Sequence, residues 1–458
     1  VSLTTDSPLA EGNTITLKAP TGTITHTGGN VLTETLVWYS TTTFSPTPGS
    51  FSHSIEGPNL TAPGNLDLDR TSLPAVTFAG ASVVDGFVTI RANALTLNDL
   101  VRAAGTGKDV TIVTENGSVT LTGDGRIESE SGDIIVSAAT SLVVDNPTVT
   151  HATATAGTLV IKKPTATASV PIVGGSGEIL STNVDFPGAG YTPNSTTIPV
   201  TFDPPPFGGT QAEGVAITDV NGFVTSISLT NPGAGYDTVV MPSVIIDPPT
   251  SGPTVTFGTG VNALATDVQK IDVIADSSLN IVEANDIEIV RLETDGNPIV
   301  LQAGGITQSG ALIAPSLTVT NVAGDVVLDS TSNDVQSIAI ANAAGDVTYT
   351  TSSSTSTDIA AGGIQAVNVA LDTANGLTQS GAIVATSLDV TNSAGTVVLD
   401  QSNSLTNVEI DNTGNSVSFT NTAATNISAG GIQGSTVVLN TAGLTQSGAI
   451  TATSLDVT

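Results

Sequence analysis

The chain has 458 residues, 39% of them hydrophobic but only 3% aromatic, with 41 acidic against 10 basic side chains, a net charge of −31, and no cysteine. That length exceeds what one hydrophobic core serves, and the apolar content is too high for disorder, so several domains or a stacked repeat array are expected. The charge excludes a phosphate-binding, nucleic-acid surface and is repelled by anionic bilayers. The lack of cysteine excludes disulfides, thiolate zinc sites and thiol catalysis, and no apolar run reaches the ~18 residues of a spanning helix.

The apolar residues are mainly Val, Ile, Leu and Ala, set among Thr, Ser, Asn and 47 Gly. Branched side chains suit pleated strands, while Gly, Asn and Pro suit turns. No long amphipathic stretch has the 3.6-residue period of a helix. The class is all-β. The chain begins at Val1 rather than Met and stops at Thr458 inside a repeat, so both ends read as cuts.

Residues 1–65 are irregular and contain Trp38-Tyr39 and Thr47-Pro48-Gly49; they read as divergent first coils or a side segment. From 66 to 163, short strands starting at Val110, Val119, Ile127 and Ile134 follow polar or Gly-containing turns, as in a solenoid. Residues 164–261 differ. Pro187-Gly-Ala-Gly-Tyr191 returns as Pro232-Gly-Ala-Gly-Tyr236, and Val200-Thr-Phe-Asp-Pro-Pro205 as Val244-Ile-Ile-Asp-Pro-Pro249. This is a duplicated β module inserted between solenoid stretches, with its prolines at strand edges or ends.

Residues 262–458 carry the strongest signal. Thr307-Gln-Ser-Gly-Ala311 recurs as Thr378-Gln-Ser-Gly-Ala382 and Thr445-Gln-Ser-Gly-Ala449, at offsets of 71 and 67 residues. Around these copies, Leu317, Val319, Asn321 and Gly324 answer to Leu388, Val390, Asn392 and Gly395, and then to Leu455 and Val457. A shorter rhythm of turn glycines (Gly305, Gly324, Gly345, Gly376, Gly395, Gly414, Gly443) marks units of roughly 20 residues, each too small to bury its own face. Stacked ~4.8 Å apart, such units would bury Leu317, Leu388 and Leu455 on one internal ridge.

These repeats, with Ala361-Gly-Gly-Ile-Gln365 and Ala429-Gly-Gly-Ile-Gln433, resemble those of large haemagglutinin-type exoproteins, the filamentous-haemagglutinin-like surface proteins of Gram-negative bacteria. The resemblance covers about 263–458 well and 66–163 loosely. It implies a right-handed parallel β-helix, or β-solenoid, rod, set at the cell surface or outside the cell, with adhesive, filament or biofilm-matrix roles. The Pro-Gly-Ala-Gly-Tyr module looks like Gly-Tyr repeats of giant bacterial surface proteins and phage tail proteins. No secretion-signal region of the haemagglutinin group is recognisable.

No catalytic set stands out. His26, His53 and His151 lack partners at metal-ligand spacing, and neither a nucleophile elbow nor a phosphate loop is present. Asp124, Glu128, Glu130 and Asp133 form the densest carboxylate cluster, with Glu128 and Glu130 expected on one strand face. They suit a solvated strand face first, a calcium site second and glycosidic acid–base chemistry last. Calcium is thus the one cofactor the residues allow. Tyr191 and Tyr236 suit core residues first, each over its own Gly-rich turn, because a repeated aromatic beside turn glycines is usually core, and glycan-binding aromatics second. Asn59, Asn116, Asn194 and Asn426 open Asn-x-Ser/Thr sequons, which chance explains in so Asn-rich a chain. The expectation is a non-enzymatic structural segment whose partners are copies of itself or the rest of a larger parent chain, stacked head to tail, and surface glycans. The alternatives are a glycan-binding adhesin acting through the module and, behind it, a polysaccharide-active β-helix enzyme or tail spike.

Overall fold

Short aliphatic and β-branched runs separated by Gly, Asn and Asp leave each strand no apolar partner within its own stretch of chain, so it pairs one coil away. The computed structural model describes residues 75–78, 82–84, 86–147, 150–206, 208–237 and 239–458. Before these it gives strands at Ser2–Leu3, Ile15–Ala19, Thr25–His26, Thr35–Ser40, Ser52–His53 and Asn65–Arg70. The described residues contain no helix; parallel coils stack into a β-solenoid of about 19 turns. The side chains of Trp38, Tyr39, His26 and His53, the segment 47–49 and Asn59 lie outside the described residues. The chain forms two compact units: residues 1–129, 134–146 and 160–259, and residues 130–133, 147–159 and 260–458.

In the first unit a coil is three strands. Val88–Ala92, Leu95–Leu97 and Leu100–Ala103 are followed, one coil on, by Val110–Thr114, Val119–Thr122 and Arg126–Ser129. Each pairs in parallel with its counterpart, Val88 with Val110, Leu95 with Val119 and Val101 with Ile127. The alternate side chains Val88, Ile90, Leu95, Leu97, Val101 and Ile127 are buried, at about 1.5–3 kcal/mol each for a fully buried aliphatic side chain. Further back, Ile15–Ala19, Thr35–Ser40 and Asn65–Arg70 run in parallel register onto Val88–Ala92.

The same unit holds a six-stranded antiparallel sheet in the order Ile179–Phe186, Thr167–Val173, Val244–Ile246, Ile198–Phe202, Glu213–Thr218, Val224–Asn231. The two copies of the duplication meet reciprocally at its centre: Val200 pairs with Ile246 and Phe202 with Val244. The backbone bonds are reciprocal too. Ile179 N donates to Pro232 O while Val224 N donates to Pro187 O, and Tyr236 N donates to Gly177 O while Tyr191 N donates to Gly222 O. Duplication has thus produced an approximate twofold in which each Gly-Ala-Gly-Tyr turn docks on the other copy's hairpin. Pro171 lies inside the strand Thr167–Val173, at a register shift, where no ladder bond needs its missing N–H. After the sheet, Thr254–Phe257 resumes the parallel stack beside Ser141–Asp145.

In the second unit, successive coils between Ile299 and Ile427 take 18–24 residues. Leu317, Val319, Leu388 and Val390 are buried, and Gly324 and Gly395 occupy left-handed turns at φ 79° and 78°. Asn321 and Asn392 turn inward there, each donating to the carbonyl of the glycine three residues on. Leu455 and Val457 face solvent at 50% and 45% exposure. Gly443 is no turn residue: it lies within the strand Thr436–Gln446.

The expected common ridge is wrong. Leu317 stacks between Ile299 and Ile338, Leu388 between Val369 and Val408, and Leu455 on Val437. Three coils from Leu317 lead to Gln379, nine residues short of Leu388. Three coils from Leu388 lead to Gln446, again nine short of Leu455. The long repeat is not a whole number of turns, so its equivalent leucines fall on separate ladders.

Candidate functional site

The feature built most deliberately is the Thr-Gln-Ser-Gly-Ala motif, a latch between coils. Gln379 and Asn403, one coil apart, bond through both ends of their carboxamides: Gln379 Nε2 donates to Asn403 Oδ1, and Asn403 Nδ2 donates to Gln379 Oε1 (3.2 Å). Asn403 is fully buried. Its Oδ1 also accepts from Ile383 N (2.7 Å), and its Nδ2 donates to the carbonyls of Leu399 (3.2 Å) and Thr420 (2.9 Å). Gln308 and Asn333 repeat the arrangement, with Leu312 N on Asn333 Oδ1 (2.9 Å) and the Leu328 and Thr350 carbonyls on Nδ2. Each amide so used satisfies backbone groups at a corner where the ladder is interrupted, and a buried polar group is tolerable only when so satisfied.

The motif's hydroxyls reach the other way. Thr378 Oγ1 and Ser380 Oγ donate to Asp358 Oδ1 on the preceding coil (3.2 and 3.1 Å), and Thr445 and Ser447 donate to Asn426 Oδ1. In the first copy, the Ser309 hydroxyl and then Lys270 hold the Glu288 carboxyl below its usual range. The motif glycine is required by closeness. A Cβ on Gly310, Gly381 or Gly448 would be driven into the backbone carbonyl of Val290, Ala360 or Ser428. Gln446, in the third copy, is exposed.

The acidic cluster does not assemble as the sequence suggested. Glu128, on the strand Arg126–Ser129, is engaged by Arg126 Nε (3.1 Å) and Arg102 Nη1 (3.9 Å). Glu130 follows the last residue of that strand and is exposed. Asp124 is exposed on a turn, and Asp133 Oδ1 accepts from Thr158 N (2.8 Å). Among the described residues no three His, Asp or Glu side chains come together in a way that could hold a metal ion.

Tyr191 and Tyr236 are each 5% exposed, and their hydroxyls accept from Ala166 N and Ala212 N, both at 2.9 Å. They sit in the core beside Phe202, Val200 and Ile246, so they are not glycan-stacking aromatics. Burial pushes the Tyr191 phenol up to about 12.

Three further groups stand out in the structure: Glu283 and a hollow that sequence reasoning did not single out, and His151, weighed there only for its lack of partners at metal-ligand spacing. Glu283 is 3% exposed; burial raises its pKa although Thr266 Oγ1 (2.7 Å) and the Val268 and Asn285 amides (3.2 Å) donate to it. His151 is 2% exposed, and its Nδ1 accepts from Ala265 N at 2.9 Å. A surface hollow of about 90 Å³ is lined by Thr348, Thr350, Asp372, Asp389 and Thr391. The Asp389 carboxyl there is raised by burial and by Glu409, its partner one coil on. Residues 292–458 carry thirteen carboxylates and no Lys, Arg or His. The Gln-to-Asn spacings of 25 and 24 residues were the signal that could have exposed the latch (Gln308 to Asn333, Gln379 to Asn403). Comparison with protein-family models, characterised proteins and solved structures finds no match for the chain.

Proposed function

We propose that the chain is a non-catalytic structural segment of a large extracellular bacterial surface or matrix protein, in which stacked coils act as a stiff spacer. The observation that carries this reading is the recurring latch: the best-built polar constellation ties coil to coil and leaves its side chains committed to the backbone. A shape held by interchangeable repeats suits mechanical length, whereas a catalytic centre is a single place. The surface setting and the adhesive or filament role rest on the haemagglutinin-like motifs. In this reading the acidic, base-free repeats keep the material soluble and stack against copies of the chain or the rest of a parent protein.

Cryo-electron microscopy of the purified chain tests the proposal. Elongated particles with a ~4.8 Å axial spacing support it; compact particles overturn it. Recognition through the inserted module is the second reading. It draws on the loop Val239-Val240-Met241, exposed by 83%, 69% and 39%. A glycan array comparing the whole chain with a triple Val239→Ser, Val240→Ser, Met241→Ser variant separates it from a purely mechanical role.

A further inference from the structure

The chain has two Asp-Pro bonds, Asp203-Pro204 and Asp247-Pro248, one in each copy of the duplicated module. The approximate twofold puts them in matching places. Asp203 N donates to Ser243 O (3.1 Å) and Asp247 N to Pro199 O (3.2 Å), at the two ends of the central pairing of Phe202 with Val244 and Val200 with Ile246. The match fails at one atom. Ser243 N donates back to Asp203 Oδ2 (3.1 Å), whereas Pro199, in the place that answers to Ser243, has no N–H to give. Among the described residues the Asp247 carboxylate accepts no hydrogen bond. Asp247 and Pro248 are both exposed. The paired strands Thr167–Val173 and Ile198–Phe202 carry no charged residue. Lys163, ahead of the first, donates to Ser251 Oγ (3.2 Å), and burial, followed by the Asp247 charge, raises the Tyr191 phenol.

An unengaged aspartyl side chain can turn onto its own backbone carbonyl, and a nucleophile carried on the reacting residue needs no encounter. We propose that Asp247-Pro248 is a self-scission site, where the Asp247 carboxyl cuts its own chain in mild acid, while Ser243 guards the twin bond at Asp203. A carboxylate oxygen of Asp247 attacks the Asp247 backbone carbonyl carbon and forms a five-membered cyclic anhydride. The carbon–nitrogen bond to Pro248 breaks, and the proline nitrogen leaves as a secondary amine with a proton from the acidic medium. Water then opens the anhydride, and Asp247 ends the upstream fragment with two carboxyl groups. The net change is hydrolysis of one peptide bond, with nothing oxidised or reduced. Thr254–Phe257 lies beyond the cut and stays paired with Ser141–Asp145, so the nicked fragments part only on unfolding.

The test is mass spectrometry of the intact chain held at pH 4, folded and in urea, with fragments read under denaturing conditions. The urea sample gives the reference ratio of the two cuts. In the folded chain that ratio is expected to shift about tenfold toward Asp247-Pro248, the scale of one net hydrogen bond. Pro199→Ser supplies the missing N–H and should bring scission at Asp247 down to the level at Asp203. Ser243→Pro removes the counterpart and should raise scission at Asp203. A folded ratio equal to that in urea, or scission at Asp247 unchanged by Pro199→Ser, overturns the site.

Discussion

Replacing Asn403 by Ala tests the latch where its geometry is most complete. The substitution removes one carboxamide, leaves the Ile383 N–H and the Gln379 Nε2 without that acceptor and takes a donor from the Leu399 and Thr420 carbonyls, at a position with no exposure, while Gln379 Oε1 keeps the Gln401 N–H. A buried donor or acceptor left alone costs about 1–3 kcal/mol. Partial relaxation of Gln379 toward solvent would recover part of this, so a local loss of about 3–5 kcal/mol is expected. The matched control is Asn407→Ala, four residues on. Its side chain is half-buried and accepts one bond, from Asn426 Nδ2 (3.0 Å), so it should cost less than about 1 kcal/mol. Repeat arrays open locally, so the assay is hydrogen exchange of peptides spanning 377–421 rather than one global melt. Equal losses in the two variants, or a loss below about 1 kcal/mol for Asn403→Ala, would refute the claim that the amide pair holds coils together.

Leu388→Ala should cost about 2–5 kcal/mol by leaving a cavity between Val369 and Val408, whereas Leu455→Ala, half exposed, should change urea unfolding little. Gly381→Ala should destabilise its corner by about 1–3 kcal/mol, because the Ala360 carbonyl must move away, and exchange at Ile383 reads this directly. Tyr191 is neutral in the fold to about pH 12, while an unfolded tyrosine ionises near 10. Its contribution is therefore whole below pH 10 and lost between 10 and about 12, which phenolate absorbance during alkaline titration would follow. The folded pKa of Glu283 is raised, so its charged form weighs against folding above that pKa and the penalty lifts as pH falls through it. Glu283→Gln should flatten this slope without loss at pH 7, measured by unfolding across pH 4–7.

The coil was legible because its determinants are local and periodic. Leu317-Thr-Val and Leu388-Asp-Val alternate, glycines punctuate them, and units of that size must stack. What the sequence could not show is phase. The match between Leu317 and Leu388 is a match of ancestry, while the ladder counts residues per turn, and 71 residues overshoot three coils by nine. The acidic cluster showed its carboxylates but not their partners: Glu128 is engaged by Arg126 and by Arg102, which lies a coil away. A core place for Tyr191 and Tyr236 was legible from a repeated aromatic beside turn glycines, whereas the interlocking of the two copies was not. Asn333 and Asn403 drew no notice because asparagine is common here, and only position along the axis distinguishes a latch from a solvated loop.

The residue-by-residue drift of the long repeat has a bearing on how such material packs. If each duplicated block returned to the same azimuth, every exposed patch would recur as one unbroken stripe, and neighbouring molecules could zip together along it. Because each block comes round nine residues late, like patches are staggered about the axis. Two molecules laid side by side can match at one block and are out of step at the next. Duplication can then lengthen the stack without also lengthening a sticky seam.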